Sequence, residues 1–307
     1  MKIILLCATQ RGFEFLKKLH ELCFNDEIIV FSFRETPLEP KFLDDIESFC
    51  QRNGLKFFEA KSAASKDYKD VWNSNIDLVF FVHWRYLLPV EITKNVKLNT
   101  VILHDSLLPK YRGFSPTVWA IINGETECGV SMFHLDKGVD AGDVIAQERV
   151  KIESDDTVAE VVEKVTASYL KLLESNIELL KTGKAPRNPQ NHSLASYTCK
   201  RTPEDNLIEW EQSTQVIYNL IRAVSFPYTG AYTFYKGTKL TIWSAKPESN
   251  LPKYVGSIPG RVIEVKPQEG VVVLTGDGGL LVSTVELESG IKTNASELIK
   301  SIAAKLG

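Results

Sequence analysis

Cysteine is scarce in this sequence, and the five cysteines present form no Cys-x-x-Cys pair. An odd number of scattered cysteines argues against a disulfide framework and against a structural zinc site, so we expect a reducing, cytoplasmic location. Long hydrophobic runs are also missing, since none approaches the roughly 20 residues that cross a bilayer. The apolar run after Met1 is followed too soon by Arg11 and Glu14 to predict a signal peptide. We therefore expect no membrane partner.

Neither sign of charge dominates, because 36 Lys and Arg stand against 39 Asp and Glu for a net charge of −3. This balance argues against nucleic acid as a partner. The patterns GxGxxG, GxxxxGK[ST], HExxH and GxSxG are absent, so dinucleotide, P-loop, zinc-protease and serine-hydrolase functions lack their motifs. The five histidines show no metal-ligand spacing, and we predict no metal.

The first half of the chain alternates short apolar runs with amphipathic segments, which is typical of an α/β domain with a mainly parallel sheet. We predict strands at 2–7, 27–33, 56–60, 77–82 and 100–104, and helices at 12–23, 116–125 and 157–182. Thr157 and Glu160 form a capping-box pattern at the start of the long helix, and Gly183 is a stop signal. The carboxyl ends of parallel strands share one edge, where open α/β sheets bind ligands.

The second half has a different composition. Residues 185–206 are rich in Pro, Asn and Ser and have no period, which predicts a linker. A predicted helix at 212–224 precedes five short apolar strands with glycine-rich turns, typical of a small barrel or sandwich. We therefore predict a catalytic domain at 1–184, a linker at 185–206 and a β-rich C-terminal domain at 207–307.

Two segments carry candidate chemistry. His104 ends a predicted strand and opens the segment HDSLLPKYRG (104–113), while DKGVDAGDVIAQE (136–148) places Asp136, Asp140 and Asp143 in a glycine-rich loop. A histidine and a carboxylate from neighbouring loops make a general acid/base pair, because the carboxylate orients the ring and stabilises its charged form. A lone strand-end histidine is more often structural, and aspartate beside glycine is as often a turn former.

The segments HDSLLPKYRG and VDAGDVIAQE resemble the two signatures of the folate-dependent formyltransferases, the family that includes methionyl-tRNA formyltransferase. KRTPEDNLIEW (200–210), IRAVSFPYTGAYTF (221–234) and KLTIWSA (239–245) resemble the C-terminal domain of that family. The resemblance implies a Rossmann-like formyltransferase domain followed by a small β-barrel-like (OB-like) domain. It also implies transfer of a formyl group from N10-formyltetrahydrofolate to an amine.

The family has a branch that formylates methionyl-tRNA and a branch that formylates nucleotide-linked amino sugars. HWRYLLP (83–89), WAIINGETECGV (119–130) and KRTPEDNLIEW resemble the sugar branch more closely. Residues 200–307 hold about 12 Lys and Arg against about 11 Asp and Glu, too balanced for a surface that tracks tRNA phosphates. We predict a nucleotide-linked amino sugar as substrate. The resemblance further implies a cytoplasmic homodimer in cell-surface polysaccharide biosynthesis. A methionyl-tRNA enzyme and a non-catalytic folate- or nucleotide-binding relative are the alternatives.

The resemblance implies catalytic roles for His104 and Asp140. It places the folate against two loops, with the cofactor-binding residues Arg85, Leu87, Leu88, Ser106, Gly113, Gly138, Val139 and Gly142. The expected substrate-binding residues are His83, Trp84, Tyr86 and Arg112. For Arg112 a phosphate contact and a structural salt bridge are equally plausible, and Trp84 and Tyr86 have packing as an alternative role.

Ile102 departs from the family pattern, which has an asparagine two residues before the histidine. The resemblance implies that this asparagine holds the oxyanion of the tetrahedral intermediate, and loss of such a donor typically lowers the rate about 10²–10³-fold. Three hypotheses follow. Protonated His104, a backbone N–H or a water holds the oxyanion; another side chain such as His83 or Asn99 substitutes; or the protein binds without turnover.

Overall fold

The computed structural model describes residues 1–36, 39–86 and 88–307, and the chain divides into two compact units. The first unit comprises Met1–Pro116, Glu127–Lys151 and Val162–Cys199. The second comprises Thr117–Thr126, Ile152–Val161 and Lys200–Gly307. No helix within the described ranges has the length and apolar character needed to cross a membrane.

Strands and helices alternate through most of the first 200 residues, as the sequence pattern predicts. In chain order they are β1 (Lys2–Cys7), α1 (Thr9–Leu22), β2 (Glu27–Ser32), α2 (Leu43–Arg52), β3 (Lys56–Glu59), α3 (Lys69–Trp72), β4 (Leu78–Val82), β5 (Asn99–His104), β6 (Arg112–Gly113), α4 (Pro116–Ile122), β7 (Glu127–His134), β8 (Val144–Lys151), α5 (Val158–Lys181) and β9 (Tyr197–Thr198).

Seven of these strands form one sheet in the order β3-β2-β1-β4-β5-β7-β8. The five strands from β3 to β5 are parallel, whereas β7 and β8 are antiparallel, which confirms the predicted mainly parallel sheet. The chain runs outward from β1 to β3 in one direction and from β4 to β5 in the other. The strand order therefore reverses between β1 and β4, and ligands of open α/β sheets bind outside the carboxyl ends of strands at such a point.

Close packing explains one difference from the sequence prediction. Helix α1 begins at Thr9, three residues before the predicted start, so Gly12 lies inside the helix. A Cβ at Gly12 would lie 2.9 Å from the Cβ of Cys7, closer than side chains approach one another. Glycine thus lets α1 pack directly against the end of β1.

The long helix α5 matches its prediction within one residue at each end. The Glu160 carboxylate accepts a hydrogen bond from the Thr157 backbone N–H at 2.6 Å, half of the predicted capping box. Gly183 follows with a φ of +68°, a conformation in which glycine carries no Cβ penalty. Helix α4 ends at Ile122, three residues earlier than predicted.

The second unit contains a six-stranded antiparallel sheet, which confirms the predicted β-rich C-terminal region. Its strands follow the order β10-β11-β14-β13-β12, with β15 paired to β14. The elements are α6 (Thr214–Ala223), β10 (Ala231–Tyr235), β11 (Thr238–Pro247), β12 (Val262–Lys266), β13 (Gly270–Leu274), β14 (Gly279–Leu287), β15 (Lys292–Asn294) and α7 (Ala295–Leu298).

Candidate active site

His104 is the last residue of β5 and lies at the carboxyl edge of the sheet. Burial alternates along this strand, so Val101 and Leu103 are fully packed while Ile102 and His104 share the other, partly open face. Nε2 of His104 lies 2.8 Å from the backbone carbonyl oxygen of Tyr111. Because a carbonyl only accepts hydrogen bonds, Nε2 carries a proton and Nδ1 is the nitrogen left to exchange one.

Asp140 approaches His104 from the loop between β7 and β8. Its Oδ2 lies 3.7 Å from Nδ1 of His104 and accepts a hydrogen bond from the Gly113 backbone N–H at 2.8 Å. Asp140 adopts a φ of +48°, an uncommon backbone conformation that aspartate tolerates better than most residues. The structure thus brings the two predicted catalytic residues together, with Gly113 beside them.

The three cofactor-binding residues predicted in the Asp140 loop, Gly138, Val139 and Gly142, differ in burial. Gly142 is buried, and a Cβ there would lie 1.8 Å from the carbonyl oxygen of His134, so only glycine fits. Gly138 and Val139 are exposed on the loop that carries Asp140, with 58% of Val139 accessible to solvent.

Ser106 ties down the segment that follows His104. Its hydroxyl donates to the Lys110 carbonyl at 2.7 Å, and its own carbonyl accepts from the buried hydroxyl of Ser131 at 2.6 Å. The Ser106 side chain is therefore engaged within the protein, where it shapes the loop between His104 and Gly113.

Arg112 is buried, with 2% of its surface accessible, and its guanidinium has three side-chain partners. It donates to Oε1 of Gln190 at 2.6 Å and to the hydroxyl of Tyr197 at 3.2 Å, and it lies 3.1 Å from Nδ1 of His192. None of these partners is a carboxylate, so the salt-bridge alternative does not describe the contacts of Arg112 among the described residues. Its contact with a substrate phosphate stays a prediction.

Gln190 is a site residue that the sequence analysis missed. Its Nε2 donates to the carbonyl oxygens of Asp140 at 2.9 Å and of Gly142 at 2.7 Å, while its Oε1 accepts from Arg112. One amide thus joins the Asp140 loop to the segment after His104. A glutamine in a segment that resembles a linker has no sequence signal for this role.

Ile102 faces the same side of β5 as His104 and packs against an apolar cluster that includes Val79 and Phe81. Asn99 lies on the opposite face, where its Nδ2 donates to the Leu180 carbonyl at 3.3 Å. The regular alternation of β5 therefore directs the Asn99 amide away from His104, and Asn99 does not replace the family asparagine.

The segment after β4 carries the remaining predicted residues. Trp84 and Tyr86 pack edge-on against Phe33, with ring centroids 5.3 and 4.9 Å away. The Arg85 guanidinium lies over the same ring and forms a bidentate pair with Glu39 at 2.7 and 2.9 Å. Leu88 packs against the apolar cluster, and Leu87 lies outside the described residues.

A buried ionic cluster surrounds Asp105, the residue after His104, and the sequence analysis also missed it. NH2 of Arg11 is 3.2 Å from Oδ2 of Asp105, and the Tyr169 hydroxyl donates to Oδ1 of Asp105. Burial is the largest single influence on Asp105 and by itself would raise its pKa, but the Arg11 charge acts together with other neighbours, among them the Tyr169 hydroxyl, and the pKa lies below its usual value. In the sequence, His104 and Asp105 are two consecutive polar residues at the end of an apolar segment, and nothing there indicates that the Asp105 side chain is buried.

Arg11 also contacts His83, which is the first residue after β4. NH1 of Arg11 lies 3.2 Å from Nε2 of His83. Desolvation by the surrounding protein and the Arg11 charge lower the pKa of His83 to about 4. The structure exposes His83 to solvent, whereas the contact with the charged Arg11 guanidinium is seen directly. The Arg11 charge is therefore the cause of the lowered pKa that the geometry shows.

Three buried polar atoms near the carboxyl ends of β1, β2 and β4 have no hydrogen-bond partner among the described residues: Thr9 Oγ1, Ser32 Oγ and Trp84 Nε1. Buried polar atoms are normally paired, so these three atoms are unusual, and they lie near the edge at which open α/β sheets bind ligands. Within the same described ranges, no group of His, Cys, Asp and Glu could hold a metal ion.

Two family matches cover most of the chain. Residues 22–177 match the family described as Formyl transferase, and residues 200–303 match the family described as Formyl transferase, C-terminal domain. The first match alone spans half of the sequence.

Solved structures share the fold at low sequence identity. HypX from Aquifex aeolicus in complex with tetrahydrofolic acid is 21% identical with a TM-score of 0.63, covering 98% of this chain and 47% of HypX. The N-formyltransferase from Helicobacter canadensis, in complex with folinic acid and dTDP-3-aminofucose, is 19% identical with a TM-score of 0.71, covering 92% and 98%. A 4-N formyltransferase from Francisella tularensis is 22% identical with a TM-score of 0.61, covering 75% and 91%. The chain spans about half the length of the HypX chains that it matches.

Proposed function

Because this chain belongs to the formyl transferase family, we propose that it moves a formyl group from N10-formyltetrahydrofolate to the amine of a nucleotide-linked amino sugar. The observation that carries the proposal is the pair formed by His104 and Asp140, whose Nδ1 and Oδ2 lie 3.7 Å apart at the carboxyl edge of the sheet. A histidine with one fixed nitrogen and a carboxylate near the other suits proton transfer during amine formylation.

The proton path follows from the tautomer of His104. The Tyr111 carbonyl holds the proton on Nε2, so Nδ1 takes the proton that the attacking amine releases and returns it to the leaving nitrogen of the formyl donor. Asp140 stabilises the doubly protonated ring through its charge, since 3.7 Å is longer than a hydrogen bond. Holding the amine and the formyl group together supplies about 7–11 kcal/mol of the barrier reduction in well-oriented reactions.

The residues at the sheet edge fit a flat heteroaromatic donor such as a formylated folate. Trp84 and Tyr86 offer aromatic surface, Leu88 continues it, and the unpaired indole N–H of Trp84 supplies a buried donor. Bound there, the donor supplies the activated formyl group. The tetrahydrofolic and folinic acids named with the similar structures support the same class of donor.

Two observations support a sugar nucleotide as acceptor. The Helicobacter canadensis protein with the same fold was solved with dTDP-3-aminofucose. Residues 200–307 of this chain have nearly balanced charge, which does not favour the phosphate backbone of a tRNA. We also propose the assembly and role that the sugar branch implies. The protein would be a cytoplasmic homodimer whose product is used in cell-surface polysaccharide synthesis.

The test is a turnover assay with N10-formyltetrahydrofolate and a panel of UDP- and dTDP-linked amino sugars, following release of tetrahydrofolate. We expect one sugar to be formylated, with turnover lost in His104→Ala and Asp140→Asn and kept in the surface control Lys253→Ala. Formylation of methionyl-tRNA in place of every sugar would identify the tRNA enzyme. Folate binding without turnover on any acceptor would identify a binding relative.

A further inference from the structure

We infer that His83 replaces the missing family asparagine, and that its neutral Nδ1–H donates a hydrogen bond to the formyl oxygen as negative charge develops there. The inference rests on the proposed formyl transfer and goes beyond it, since it assigns the oxyanion donor. Ile102 has no polar atom for this purpose, and Asn99 lies on the other face of β5.

The sheet register places His83 and His104 at corresponding ends of two neighbouring strands. Val82, the last residue of β4, is the partner of Leu103 in β5, so His83 and His104 each follow a paired position on neighbouring parallel strands. Arg11 links the two strand ends, because its NH1 contacts Nε2 of His83 and its NH2 contacts Asp105, the residue that directly follows His104. His83 also lies where the strand order reverses, the place at which open α/β sheets bind ligands.

Arg11 determines which nitrogen of His83 carries the proton. A guanidinium has only donors and stays charged, so the His83 nitrogen that faces it must accept. A neutral ring with Nε2 as acceptor has its single proton on Nδ1. The lowered pKa of His83, at about 4, agrees with a neutral ring near pH 7.

Nδ1–H of His83 is available to a ligand. It makes no hydrogen bond to any described residue, and His83 is exposed. His83 also has a φ of +56°, so the chain leaves the extended conformation at this residue instead of continuing β4. Backbone conformations of this kind occur preferentially at functional sites, where the surrounding structure holds them in place.

The chemistry balances with His83 in this role. The amine nitrogen forms a bond to the formyl carbon, and the C=O electron pair moves onto oxygen, where Nδ1–H of His83 donates to it. The pair returns as the bond to the donor nitrogen breaks, while the amine proton passes through Nδ1 of His104 to that nitrogen. His83 keeps its proton throughout, so no additional reactant is needed.

The tautomer is tested on the whole protein without any substrate. Ring ¹⁵N NMR separates protonated from unprotonated imidazole nitrogens, and His83→Gln assigns the His83 signals among the five histidines. We expect Nδ1 protonated and Nε2 unprotonated at pH 7. A doubly protonated ring, or a proton on Nε2 instead, overturns the inference.

Kinetics test the role, with two variants that separate the nitrogens. Asparagine places its amide N–H near the position of Nδ1, whereas glutamine reaches the position of Nε2 and keeps the contact with Arg11. We expect His83→Gln to lower kcat about 10²–10³-fold with a much smaller change in the donor KM, and His83→Asn to lose less. Adding Ile102→Asn to His83→Gln is expected to recover part of the loss. Wild-type kcat in His83→Gln, or an equal loss in both single variants, overturns the role.

Failure of the inference and failure of the proposed function are distinguishable. Any amine that the wild type formylates serves for the kinetic comparison, whether it belongs to a sugar or to methionyl-tRNA. If no acceptor is formylated, the proposed function fails, while the NMR spectrum still decides whether His83 presents a neutral Nδ1–H.

Discussion

Nδ1 of His104 lies 3.7 Å from Oδ2 of Asp140, while Nε2 on the other side of the ring donates to the Tyr111 carbonyl at 2.8 Å. The two contacts have different effects on the His104 imidazole. The carbonyl fixes the tautomer and the ring orientation, and the carboxylate acts through its charge at a distance too long for a direct hydrogen bond.

Asp140→Asn tests the charge of Asp140 separately from its hydrogen bond. The amide oxygen of asparagine still accepts from the Gly113 N–H, so the loop is expected to keep its conformation while the charge beside His104 is lost. We expect kcat to fall about 10²–10⁴-fold, the usual contribution of general acid/base catalysis, with the thermal midpoint nearly unchanged. Steady-state kinetics and a thermal melt measure the two quantities. A kcat close to wild type would show that His104 works without the carboxylate.

Gln190→Leu tests the amide that joins the Asp140 loop to Arg112. The leucine leaves one N–H of the buried guanidinium and two loop carbonyls without their partner, so we expect the free energy of unfolding to fall by about 1–3 kcal/mol. We also expect a lower kcat, because Asp140 loses a constraint on its position. Urea unfolding and kinetics are compared with Gln51→Leu, a change on the exposed face of α2. Equal stability of the two variants would contradict the structural role.

Gly142→Ala tests the close approach of the Asp140 loop to β7. A Cβ at this position would lie 1.8 Å from the His134 carbonyl oxygen, so the loop must move and carry Asp140 with it. We expect the free energy of unfolding to fall by about 1–3 kcal/mol, which is typical of overpacking, and we expect kcat to fall as well. The matched control is Gly256→Ala, where no atom lies within 4 Å of the new Cβ. Unchanged kcat in Gly142→Ala would show that the loop accommodates the methyl group without moving Asp140.

The Arg11–Asp105 pair predicts a loss of stability in acid. The folded state lowers the pKa of Asp105 below its unfolded value of about 3.9, so the unfolded chain takes up this proton first. The stabilisation is therefore complete above about pH 5 and disappears as the pH falls below the unfolded value and through the lower folded one.

Urea unfolding of wild type and Asp105→Asn from pH 7 to pH 3 measures this effect. At pH 7 we expect Asp105→Asn to be less stable by about 3–5 kcal/mol, because Arg11 stays buried without its counter-charge. The difference is expected to shrink toward pH 3. Asp70→Asn, at an exposed position, controls for the loss of one surface charge. A difference that stays constant with pH would show that the pair does not titrate in this range.

The strands and the long helix could be predicted because their signals are local. Five apolar segments of the first half correspond to strands of the parallel part of the sheet, and α5 follows its apolar stripe and its capping residues. Boundaries were less predictable, as α1 shows. Whether a helix can start at Thr9 depends on the fit of Gly12 against Cys7, a contact between two elements.

The sequence by itself determined the family, through the two segments around His104 and Asp140, and the departure from its pattern at Ile102. Only the tertiary structure decided which other side chains contact and position those residues. It brought Gln190 to the Asp140 loop and placed Arg11 between His83 and Asp105. These contacts join residues that are 50 to 94 positions apart, and hydrogen bonds or ion pairs between such distant residues form only where the sheet order and the loop paths bring the atoms within about 3 Å.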